Sequence, residues 1–90
     1  MKVRMKTDHH HPFSSGKFNT TAINEVLGFG DVFGSDDFFI HELDVFLESK
    51  KKWVDMREAF KNHDLITDNY NTYFFEPKNE EDRKRGYTLL

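Results

Sequence analysis

Two incompatible periodicities overlap in "FFIHELDVFLES", residues 38–49. Phe39, Ile40, Leu43, Phe46 and Leu47 recur at i, i+1, i+4, i+7 and i+8, the stripe of an amphipathic helix, with His41, Asp44 and Glu48 on the other side. Leu43, Val45 and Leu47 also alternate with polar or aromatic neighbours, which is the mark of a half-buried strand. The strand would turn Phe46 to solvent, so the helix is preferred. Ser35 would cap it, and Asp36 and Asp37 suit its positive N-terminus. A second stripe, Trp53, Met56 and Phe60, predicts a helix over 49–63 capped by Ser49. One continuous helix over 36–63 would run about 42 Å. That is too long to bury one stripe in so small a domain, so a turn is expected near 48–50.

The flanking segments are shorter. Val3 and Met5 alternate with charges in "KVRMK", residues 2–6, and predict a short N-terminal strand. Residues 7–17 read as a loop punctuated by Pro12 and Gly16. A short helix is expected over 20–27, with Thr20 or Thr21 as cap, Ile23, Val26 and Leu27 as its apolar face and Gly28 at its end. Residues 28–35 are a glycine-rich connector whose spacing matches no phosphate-binding fingerprint. Tyr70, Tyr73, Phe74 and Phe75 favour a strand that Pro77 stops, and "KRGYTLL" returns as a second. The two predict a hairpin with a charged tip over 78–83. The expected organisation is a strand and irregular arm over 1–18 and a single domain over 19–90.

Composition narrows the function classes. Ninety residues make one small domain with a thin core, which ten Phe, three Tyr and one Trp help to fill. No Cys is present, so no disulfide, thiolate metal site or cysteine nucleophile is available, in keeping with an expected cytoplasmic location. The longest purely apolar run is Phe38-Phe39-Ile40, so no membrane helix is expected, and the start lacks the apolar block of a secretory signal. The formal net charge of −3 speaks against a nucleic-acid partner, but charge is distributed in blocks. Residues 36–49 carry five acids and no Lys or Arg, whereas residues 50–63 carry five basic and two acidic side chains.

The order helix, helix, turn, helix, hairpin is that of a winged helix-turn-helix domain. "FKNHDLI", residues 60–66, resembles the recognition-helix exit of MarR-like regulators, with Asp64 where Gly is usual and Leu65-Ile66 following. "HELDVFLES", residues 41–49, is similar to their second helix. "EPKNEEDRKRGYTLL", residues 76–90, resembles their wing through Asp82-Arg83 and Tyr87-Thr88-Leu89. The resemblance covers about residues 36–90. It implies an α+β winged helix-turn-helix fold of three helices and a C-terminal β-hairpin. It also implies a transcriptional regulator that binds double-stranded DNA, as a homodimer whose contacts residues 1–30 would supply. Lys50, Lys51 and Lys52 would then begin the recognition helix, Arg57 and Lys61 would follow along it, and Arg83, Lys84 and Arg85 would form the wing tip over phosphates.

A second reading belongs to another class. A small acidic protein, of the kind phages use as inhibitors, would bind and block a basic, nucleic-acid-handling host protein. Asp36, Asp37, Glu42, Asp44 and Glu48 would occupy the partner's basic channel. Tyr70 and Tyr73 would add aromatic surface, since a two-stranded hairpin cannot bury all four aromatics of 70–75. The run His9-His10-His11 is adjacent rather than spaced as metal ligands are, so no metal or other cofactor is expected. No nucleophile or carboxylate pair has a spacing that signals catalysis, so an enzyme is not expected.

Overall fold

Alternation wins over the helical stripe at residues 43–47. In the computed structural model, which describes residues 1–6, 22–32 and 40–87, Leu43–Leu47 is a strand, β3. Leu43, Val45 and Leu47 are buried, while Asp44 and Phe46 lie on the other face. β3 runs between two antiparallel neighbours. On one side is β1 (Lys2–Met5), with Val3 opposite Val45 and Met5 opposite Leu43. On the other is β4 (Lys52–Asp55), with Phe46 opposite Trp53 and Val45 opposite Val54. A two-residue strand, β2 (Asn24–Glu25), pairs with β1 and completes a four-stranded antiparallel sheet in the order β2-β1-β3-β4.

The expected second helix is divided by this sheet. Residues 48–51 form the β3–β4 turn, with Lys51 at φ 53°. The helix begins only at Met56 and ends at Lys61 (α1). Asp55 caps it by accepting the amide of Glu58 at 3.1 Å, and Met56, Ala59 and Phe60 are its buried face. At its end the amide of Asp64 donates to the carbonyl of Ala59 (2.8 Å) and that of His63 to Phe60 (3.1 Å). That pair of bonds is a Schellman closure. Its left-handed residue is His63, at φ 61°, and not Asp64.

A second, smaller sheet follows. β5 (Ile66–Thr67) pairs with β6 (Phe74–Phe75). The loop between them is tied by Asp68, whose Oδ1 accepts the amides of Thr72 (2.7 Å) and Tyr73 (3.3 Å). The segment that carries β2 continues to this sheet: Gly28 bridges Tyr73, and the amide of Phe29 donates to Thr72 at 3.0 Å. Gly28 permits that approach, because a Cβ there would collide with the Thr72 carbonyl oxygen. Phe29 opens a single 3-10 turn, Phe29–Asp31. Its ring packs with those of Phe60 (6.1 Å) and Phe74 (5.1 Å), joining both sheets and α1 in one core. The chain then forms α2 (Glu80–Arg85), capped by Asn79 through the Asp82 amide (2.9 Å). Three acids in its first turn and three bases in its last suit the helix dipole. Tyr87 then bridges Thr67, on the far side of β5 from β6.

The winged helix-turn-helix expectation is therefore corrected. The fold is a small α+β domain built on a four-stranded antiparallel sheet, and the described residues hold two α-helices of six residues each. The helix expected over 36–47 is strand β3 at its C-terminal end, and its start at 36–39 lies outside the described residues. Of the helix expected over 20–27, residues 22–27 hold β2 instead, while its capping residues Thr20 and Thr21 and the loop expected over 7–17 lie outside the described residues. Among the described residues the expected wing is not a hairpin, because Phe74–Phe75 pairs backwards with Ile66–Thr67 and the charged tip folds as α2; residues 88–90 lie outside the described residues. Among the described residues no helix is long and apolar enough to cross a membrane.

Candidate functional site: the tyrosine surface and its cleft

The eight cations assigned to a DNA interface are spread over four short segments. Lys50 and Lys51 are in the β3–β4 turn, where Lys50 Nζ pairs with Asp64 at 2.9 Å and Lys51 Nζ with Glu48 at 3.0 Å. Lys52 opens β4 and is exposed. Arg57 and Lys61 lie on the solvent side of α1. On α2, Arg83 faces Glu80 (3.8 Å) and Arg85 faces Glu81 (3.5 Å), with Lys84 exposed between them. Four of the eight thus have a carboxylate within ion-pair range. Such exposed pairs contribute little stability, but each sets a negative charge beside a cation that a phosphate would have to meet.

The acids of the second reading divide as well. Asp36 and Asp37 lie outside the described residues, as does the run His9-His10-His11. Glu42 precedes β3, and its carbonyl accepts the Lys6 amide at 2.9 Å. Asp44 is engaged on the outer face of the sheet by Lys6 (2.5 Å) and Arg4 (3.7 Å), and Glu48 by Lys51. Lys6 also reaches Asp55 at 3.0 Å. Burial disfavours the Lys6 ammonium, but hydrogen bonds and charge from Asp44 and Asp55 outweigh it and hold its pKa above the usual lysine value. Burial likewise disfavours the Asp55 carboxylate, yet Lys6 and the amides of Glu58 and Arg57 hold its pKa below the usual aspartate range. Glu25 is lowered by the N-terminal ammonium that donates to it at 2.6 Å.

The same outer face carries an aromatic pair with cations over it. Phe46 and Trp53 meet edge to face at 5.5 Å, with the Arg4 guanidinium 4.1 Å from the Trp53 ring centre and Lys2 5.7 Å from that of Phe46. Asp44, Asp55 and Glu25 offset the charge of Arg4, Lys6 and the N-terminal ammonium, which leaves Lys2 as the surplus cation among these groups.

Aromatic surface is left over elsewhere. Tyr70 is 87% exposed and Tyr73 52%, both on the β5–β6 loop, and Leu27 is 70% exposed. The Phe74 amide donates to the Leu27 carbonyl (3.4 Å) and Gly28 bridges Tyr73, so Leu27 and Tyr73 stand on neighbouring segments. Next to Tyr70, between the outer face of β5–β6 and α2, lies a cleft of 360 Å³ lined by Asp68, Tyr70, Phe75, Asp82, Arg85 and Gly86. Gly86 lets the end of α2 close on β5, since a Cβ there would strike the Ile66 side chain. Tyr70 and Tyr73 are the residues sequence reasoning assigned to this surface. It missed Leu27, Asp68, Phe75 and Asp82, and it placed Arg85 on a wing. Their grouping depends on α2 folding back over the smaller sheet; the Asn79 cap and the acid-first, base-last order of 80–85 signal the helix but not its packing.

Among the described residues no group of three His, Asp or Glu could hold a metal ion. No protein-family model, no curated protein and no solved structure matches the chain.

Proposed function

We propose that this chain acts by binding another protein through the surface formed by Tyr70, Tyr73 and Leu27, and that the partner is a basic, nucleic-acid-handling protein that it blocks. The observation that carries this is the exposure of those three side chains at 87%, 52% and 70% on adjoining segments. Single exposed apolar residues need no explanation, but three on one loop and the segment bridged to it do. Tyrosine suits the role, because it brings a large rigid ring with a polar tip and little conformational entropy to lose. The net charge of −3 favours a basic partner and speeds encounter with one.

The duplex-DNA reading has weaker support. A recognition helix must span the major groove, and α1 is six residues, about 9 Å, with Met56, Ala59 and Phe60 turned into the core.

The test compares wild type with a Tyr70→Ala/Tyr73→Ala double variant. Nuclease-treated extract passed over each should yield one basic protein retained by wild type and lost by the variant, and that protein's nucleic-acid binding should fall when wild type is added. A gel shift with random duplex DNA at low salt should show no retention. A shift that weakens steeply with salt, unchanged in the double variant, would overturn the proposal.

A further inference from the structure

We infer that the cleft between β5–β6 and α2 is a receptor for arginine side chains of the partner, an inference that rests on the protein-binding reading above. Its walls are two aromatic rings, Tyr70 and Phe75, and its polar lining includes two carboxylates, Asp68 and Asp82. A guanidinium is the group that both features recognise. Its flat face stacks on an aromatic ring, and its N–H fork pairs with a carboxylate. Both carboxylates are already fixed: Asp68 Oδ1 by the amides of Thr72 and Tyr73, and Asp82 Oδ2 by the amide of Lys78 at 2.9 Å. Binding therefore need not order them, which removes part of the usual entropic cost. Two carboxylates stand against one lining cation, Arg85, whose guanidinium is drawn toward Glu81 at 3.5 Å.

Arginine is preferred to lysine because the guanidinium is planar and less tightly hydrated. The volume of 360 Å³ is at the small end of ligand sites and fits one or two side chains rather than a folded element. Tyr70 lines the cleft and is 87% exposed, so its ring is accessible to the occupant.

The probe is the blocked dipeptide acetyl-Arg-Arg-amide, titrated into the full isotope-labelled chain and followed by amide chemical shifts. Acetyl-Lys-Lys-amide and acetyl-Glu-Glu-amide serve as comparisons. The expected result is saturable shifts confined to residues 68–75 and 82–86, tighter for the arginine than for the lysine peptide and absent for the glutamate peptide. Tyr70→Ala should weaken binding about fivefold, the size of one exposed cation–π contact. Arg85→Ala should tighten it about twofold, by removing a screened like charge. The spectra themselves show that each variant is folded. Shifts elsewhere, failure to saturate, a preference for the glutamate peptide, or weakening by Arg85→Ala would overturn the inference. If the dipeptide does not bind but partner capture still depends on Tyr70 and Tyr73, this inference alone fails. If the dipeptide fills the cleft while no partner depends on those tyrosines, the protein-binding reading fails and the arginine site stands.

Discussion

Phe46 and Trp53 face each other across β3 and β4, with ring centroids 5.5 Å apart and planes at 67°. This edge-to-face pair lies on the outer side of the sheet, while Val45 between its neighbours points into the core. Replacing Phe46 by Thr should leave the fold intact and cost about 1 kcal/mol, the scale of a cross-strand aromatic pair. Replacing the buried Val45 by Thr should cost more, about 2 kcal/mol, because its hydroxyl would enter the core without water. Urea denaturation followed by the fluorescence of Trp53 measures both. The reverse ranking would put residue 46 inside and the strand register out by one.

Glu76 clasps the β3–β4 turn. Its carboxylate accepts the amides of Glu48 (2.7 Å) and Ser49 (3.2 Å) and the Ser49 hydroxyl (2.7 Å). Hydrogen bonds to a charged acceptor are the stronger class. Glu76→Ala should therefore lower stability by about 1–2 kcal/mol, and Ser49→Ala, which removes one bond of the three, by less than half of that. The two losses should not add in the double variant, because Ser49→Ala has nothing left to remove once the carboxylate is gone. Additive losses in a denaturation cycle would mean that the clasp does not form.

The Lys6 cluster sets the pH response. Asp55 is held below its ordinary pKa, so its contribution is full above about pH 4 and is lost as pH falls through the lowered folded value. Lys6 is held above its ordinary pKa, so its contribution is full below about pH 10 and is lost as pH rises through the raised folded value. The stability profile should therefore decline at both ends. Lys6→Met should remove the alkaline decline that belongs to this cluster and shrink the acid one, leaving the portion due to the amide hydrogen bonds on Asp55 and to the Glu25 pair with the N-terminus. Urea midpoints across the acid and alkaline ranges give the comparison. An unchanged alkaline limb in Lys6→Met would contradict it.

Local pattern carried some of this fold and none of its assembly. The alternation of Val3 and Met5 is enough to recognise β1. The alternation of Leu43, Val45 and Leu47 was equally visible, and Phe46 disguised it. An outer-face phenylalanine is sheltered by Trp53 and Lys2, both on other strands. The stripe of Trp53, Met56 and Phe60 spans a strand–helix junction, so Trp53 does not share the face of the other two: it is outside the sheet, and Met56 and Phe60 are in the core. At the candidate site, the surplus of aromatics at 70–75 made the exposure of Tyr70 and Tyr73 legible. The cleft beside them was not, because Phe75 and Asp82 meet only through tertiary packing of α2.

The end of α1 offers the cleanest separation of the two folds. In the winged-helix alignment, Asp64 takes the place where a helix-ending glycine is usual, so Asp64→Gly should relieve strain. In the observed closure the left-handed residue is His63, at φ 61°, and Asp64 accepts an ion pair from Lys50 at 2.9 Å. A residue with a Cβ costs about 1 kcal/mol in the left-handed region relative to glycine. His63→Gly should therefore stabilise the chain by about 0.5–1 kcal/mol, less whatever the imidazole contributes to its neighbours. Asp64→Gly should destabilise it by a similar amount, since it removes the partner of Lys50 and loosens a residue that is not left-handed. Thermal and urea midpoints of the two variants move in opposite directions on this account. Stabilisation by Asp64→Gly with loss in His63→Gly would restore the shifted helix end, and with it a longer helix than α1.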